Sequence, residues 1–189
     1  MALDEAKGTA VTGVTCDDIL ASVRANNLDA FDATENKFKI EKIKLGNELL
    51  NVLNSPQSSN LEQCAAAYYA GEKRTGEAVD ILTSKIQLWL DHPIDHSTVL
   101  DASPAAVALT KIGTPSIPAV IRKLSETDEP EARKVSLEVL VRIEMDKDVV
   151  QLRLEKALRA EKDRQKQARL RTALKKLPEI KFLWLNNRL

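Results

Sequence analysis

The sequence is short of the residues that build many small-molecule sites. In 189 positions it has two cysteines, two histidines, six glycines and only seven aromatic residues. Two cysteines, Cys16 and Cys64, are too few for a disulfide framework, and their spacing fits no zinc ribbon or CxxC motif. So few glycines leave no glycine-rich loop to cradle a phosphate, and no Ser or Cys nucleophile stands beside a histidine. No run of eighteen apolar residues occurs, so no segment reads as a membrane span. The start, "MALDEAKGTAVTGVT", lacks the basic n-region and apolar h-region of a signal peptide, which leaves the cytoplasm as the default compartment. Net charge is missing too. Basic and acidic residues number 28 each, which argues against a protein whose whole surface tracks nucleic acid.

What is present favours helix. Hydrophobic residues make up 43% and charged residues 30%, with long stretches rich in Ala, Leu, Glu, Lys and Arg. The length suits one well-buried domain or one short solenoid. The charge balance hides an asymmetry: residues 151–189 carry twelve Lys and Arg against four Asp and Glu, a net of +8, so the other 150 residues are net −8. Arg159, Lys162, Arg164, Lys166, Arg169, Arg171, Lys175 and Lys176 are therefore the candidate interaction surface, for an acidic protein partner or for phosphates. Arg159 and Lys162 also lie near a helix end, where the helix dipole favours cations.

The stretch "ALTKIGTPSIPAVIRKL" states the architecture. Ala105, Ala108, Leu109 and Ile112 share one helical face, Gly113 ends that helix, and Ile117, Val120, Ile121 and Leu124 repeat the spacing at once. Pro115 and Pro118 belong in the first turn of the second helix, where a missing N–H costs little. Upstream, Leu45, Leu49, Val52 and Leu53 read as a helix stopped at Asn54–Pro56. Leu61, Cys64, Ala65 and Tyr68 form the next, ended by Gly71, and Ala78, Ile81, Leu82, Ile86, Trp89 and Leu90 form its partner. Downstream, "PEARKVSLEVLVRI" is apolar over a wider arc, followed by Val150, Leu154, Ala157 and Leu158, and then by Leu170, Ala173, Leu174 and Leu177 before Pro178. Leu90, Leu124 and Leu158 are 34 residues apart each time, which predicts stacked hairpins.

Neither the Trp, Leu-Gly, Tyr, Pro pattern of tetratricopeptide units nor an ankyrin TPLH turn recurs. "AAAYYAGEKRTGEAVDIL" and "AAVALTKIGTPSIPAVIRKL" resemble the short HEAT-like repeats of phycobilisome lyases. The resemblance covers Lys44 to Leu177; at Arg142 to Asp146 "RIEMD" replaces the glycine. It implies an all-α, right-handed α-solenoid of stacked antiparallel hairpins that binds a protein, monomeric or weakly self-associating. Nucleic-acid binding through the basic end, or an accessory role of the chromophore-lyase type, are the alternatives. HEAT-like DNA glycosylases place aromatic residues in a basic groove, but Trp89 and Trp184 stand alone, so those site residues do not carry over.

On this reading residues 1–35 are an N-terminal segment with a capping helix that starts at Thr15, residues 36–177 are the repeats, and 178–189 are a cap or tail. "NKFKIEKIKL" reads as helix. Ile180, Phe182, Leu183, Trp184 and Leu185 are expected to cover the open edge of the stack. Asp91, His92, Asp95 and His96 in "DHPIDH" form the one cluster with metal or acid–base potential, and Pro93 and the non-helical spacing favour a capping loop instead. No catalytic residue, cofactor or metal is expected.

Overall fold

Small polar side chains start the helices, and prolines sit where their missing N–H does no harm. The computed structural model describes residues 42–88 and 103–180, of which 81% are helical with no strand among them. Eight α-helices follow one another: α1 Lys42–Asn54, α2 Asn60–Glu72, α3 Val79–Ser84, α4 Pro104–Ile112, α5 Ile117–Glu126, α6 Pro130–Glu144, α7 Lys147–Ala160 and α8 Arg164–Lys176. Short 3₁₀ turns lead into α3 and α5, and another, Leu177–Glu179, follows α8. Ser59 and Glu62 form a reciprocal capping box at α2, with Glu62 accepting from the Ser59 N–H at 2.7 Å. Asp146 and Asp163 cap α7 and α8, and Pro104 and Pro130 open α4 and α6.

The hairpin expected at Gly113 forms. Gly113 has φ 83° and ψ −141°, Pro115 lies in the 3₁₀ turn, Pro118 is the second residue of α5, and the chain turns through 115° between the two helices. Ser116, fully buried, donates to the Leu109 carbonyl at 3.0 Å, a second bond to a group that already accepts from the Gly113 N–H, and so ties the turn to the end of α4. The other two hairpins also turn through a left-handed residue, but not a glycine: Arg74 has φ 52° and Met145 φ 57°. "RIEMD" thus keeps the backbone of a helix stop without its usual residue.

Gly71 is a correction to the sequence reading. Helix α2 runs through it to Glu72, and Lys73 is the C-cap. What requires glycine there is a neighbour: a Cβ on Gly71 would lie 2.6 Å from the Ala108 Cα and 2.9 Å from its Cβ. Around this contact Ala66, Ala67, Ala70, Ala105 and Ala108 are buried, so α2 and α4 approach unusually closely.

Helix α2 packs on α4 and α4 on α6, while α3 packs on α5. Helix α6 is central, burying Ala132, Val135, Leu137, Val139, Leu140 and Val141, as its wide apolar arc predicts. The next partner of α5 is α8, which buries Leu170 and Ala173. Helix α7 lies to one side against α6 and α8, buries only Val150 and Leu154, and leaves Leu152 65% exposed. The 34-residue spacing therefore does not carry into the packing: Leu124 is fully buried and Leu158 only partly so. Of the residues expected to cover the last edge, Ile180 is buried. Phe182 to Leu185, Trp89, Leu90, the DHPIDH loop, Cys16, Thr15 and most of "NKFKIEKIKL" lie outside the described residues.

Candidate interaction surface

The eight cations of the C-terminal end do not share one surface. Arg159 is in the last turn of α7, 83% exposed, with Glu155 at 3.9 Å. Lys162 is exposed in the short link to α8, where the Glu161 carboxylate accepts from the N–H groups of Lys162 and Asp163 at 2.8 and 2.9 Å. The other six are on α8 and divide by helical phase.

The inward flank of α8 is neutralised by the chain itself. Lys166 donates to Glu126 at 2.9 Å. Arg169 grips Asp128 through Nε and Nη2 at 2.7 and 2.6 Å and donates from Nη1 to the Ser125 carbonyl at 3.3 Å, so one guanidinium ties α8 to the end of α5 and the link after it. The Arg169 hydrogen bond holds the Asp128 carboxyl below the usual range, and the same bond raises Arg169; Glu126 raises Lys166 likewise. Asp163 is lowered by the backbone N–H groups of Lys166 and Gln165 that it caps. Lys176, at the far end, holds Glu179 at 2.9 Å.

The outward flank differs. Arg164, Arg171 and Lys175 are exposed and have no carboxylate partner among the described residues; Arg171 reaches only the Gln167 side chain, at 3.4 Å. At 100° per residue these three lie within about 40° of one another and on the opposite side of α8 from Lys166 and Arg169. Ala168, short and exposed, lies beside them, while Thr172 is about 80° round the helix from Arg164, on the side that faces α6.

The carboxylates that engage α8, Glu126 and Asp128, were not legible as site residues, because they lie 40 and 41 residues away in sequence from their partners. The same holds for two further ties between helices: Lys111 of α4 pairs with Glu72 of α2 and sits 4.7 Å over the Tyr68 ring, and Arg122 of α5 pairs with Asp80 of α3. A groove of about 360 Å³ runs between α6 and α8, floored by Pro130, Leu137, Ala173 and Ile180. Among the described residues no three His, Cys, Asp or Glu side chains gather as a metal site would require. No protein-family model, curated protein or solved structure gives a match to this chain.

Proposed function

We propose that this chain is a non-catalytic protein-interaction module, a right-handed α-solenoid of HEAT-like hairpins presenting a continuous helical surface to a partner protein. The observation that carries the reading is a recurrence in the ion pairs between neighbouring helices. Glu72 with Lys111, Asp80 with Arg122, Glu126 with Lys166 and Asp128 with Arg169 are separated by 39, 42, 40 and 41 residues. These offsets fit the length of HEAT units, about 40–47 residues, although the α5–α8 pairs span two helices where the α3–α5 pair spans one, and the α6–α7 pair Glu144 with Arg153 is only nine residues apart. On this reading α2–α3 and α4–α5 are two units, and α6 and α8 make a third in which α7 is an additional helix. Nucleic-acid binding draws less support, because Lys166, Arg169 and Lys176 are already held by carboxylates.

The test is capture of partners from source cells on the tagged full-length chain, with and without nuclease, read by mass spectrometry. A protein retained in defined stoichiometry after nuclease treatment is the expected result. Loss of all bound material on nuclease treatment would transfer the function to nucleic acid.

A further inference from the structure

We propose that the outward flank of α8, formed by Arg164, Arg171 and Lys175, is the docking site for an acidic helical segment of a partner protein. The inference rests on the interaction-module reading above and adds the chemistry of the partner.

The argument comes from the order of charges along the row α3, α5, α8. Helix α3 offers Asp80 to Arg122 of α5. The end of α5 and its following link then offer Glu126 and Asp128 to Lys166 and Arg169 of α8. At each step the earlier element supplies carboxylates and the later one supplies cations. Helix α8, "RQKQARLRTALKK", contains no acidic residue at all. It completes the pairing on its inward flank and presents cations again on its outward flank, where the pattern would call for carboxylates.

Whatever continues the row beyond α8 must therefore bring the acids. The inward flank shows within the same molecule what this helix accepts: two carboxylates two residues apart, one of them taken in a two-pronged grip. Arg164 and Lys175 are eleven residues apart, about 16 Å along the axis, or three helical turns. Ala168, beside the line of cations, is short, so a second helix can lie close with its glutamates reaching them. Three cations in one line, spanning only about 16 Å, match a short acidic segment, whereas a phosphate backbone would need the longer cationic track that Lys166, Arg169 and Lys176, already held by carboxylates, do not supply.

The experiment uses the full-length chain and a fluorescent helix-forming peptide of Ala, Gln and Glu with its glutamates along one face, read by anisotropy. The charge reversals Arg171→Glu and Lys175→Glu together should weaken binding about tenfold or more, and salt should weaken it in the unaltered chain. The charge-matched pair Lys123→Glu and Lys156→Glu should leave it unchanged, and a peptide with Lys in place of Glu should not bind. Equal affinity of the peptide for both variants overturns the proposal. So does tighter, flank-dependent binding of duplex DNA or of phosphatidylserine vesicles, and so does self-association in sedimentation that the Arg171 and Lys175 reversals abolish. Peptide failure alongside capture of a partner protein removes the α8 assignment and leaves the interaction-module reading standing; failure of capture removes that reading itself.

Discussion

The α2–α4 and α5–α8 interfaces each join neighbouring helices, and they do so by opposite means. Between α2 and α4 the contact is a matter of distance: Gly71 lies against Ala108 with no room for one more carbon, amid buried alanines. Between α5 and α8 it is a matter of charge: Lys166 and Arg169 reach two carboxylates at the surface, beside a small apolar patch from Leu170 and Ala173. The first interface is intolerant of a methyl group, and its one ion pair, Glu72 with Lys111, is secondary to that close fit. The second answers to salt and pH.

The largest effect should come from breaking the close contact. Gly71→Val puts a branched side chain where even a Cβ would meet the Ala108 Cα at 2.6 Å, so backbone must move. A loss of about 3 kcal/mol, the upper part of the range for overpacking, is expected in urea unfolding at any ionic strength. Adding Ala108→Gly should restore only part of it, since the nearest atom belongs to the backbone. A variant that unfolds at the same urea concentration as the parent would show that the helices separate easily.

Next come the turns between consecutive helices. Gly113→Val should cost about 2 kcal/mol, because φ 83° with ψ −141° is a conformation that side-chain-bearing residues avoid whatever the free space. Met145→Gly should do the reverse and stabilise by about 1 kcal/mol, because Met145 holds φ 57° while 60% exposed and so has little packing to lose. If calorimetry finds the two substitutions alike in sign, positive φ is not what decides the stability of one of these two turns.

The smallest effect belongs to the charged interface. Asp128→Asn should loosen α8 slightly, and molar salt should erase the difference from the parent. The pH dependence has a defined sign. Asp128 is lowered in the folded state, so its contribution is intact above an unfolded carboxyl's value of about 3.9 and lost as pH falls through the folded value. Lys166 is raised, so its contribution is intact below about 10.4 and lost as pH rises through the folded value. Hydrogen-exchange protection within α8, taken against the intrinsic rate at each pH, should therefore fall at both extremes before it does within α2; simultaneous loss would mean that the two interfaces are not independent.

These contrasts also mark what the amino-acid order reveals. The α4–α5 hairpin was readable because its signals are local: one glycine and two prolines within six residues. The α6–α7 turn was not, since Met145 adopts by context a conformation that its identity disfavours. Gly71 has the look of a helix stop near the end of an apolar run, yet the atom that demands it is 37 positions away. The apolar phases of α6, α7 and α8 were legible because 3.6-residue periodicity is intrinsic to the chain. Which helices lie side by side was not. The 34-residue leucine spacing fell on α7, outside the α5–α8 contact, while the offset near 40 resides in charges that no short window brings together.

Ser103 has one further consequence. Its buried hydroxyl donates to the Ile86 carbonyl at 2.7 Å while accepting from the Ala106 N–H that begins α4. The chain thus returns at residue 103 to the point it was leaving at residue 86, and a single hydroxyl closes that circuit from inside the core. One side chain therefore sets where α4 begins relative to the segment that follows α3, and Ser103→Ala would strip a partner from the Ile86 carbonyl and from the first turn of α4 at once.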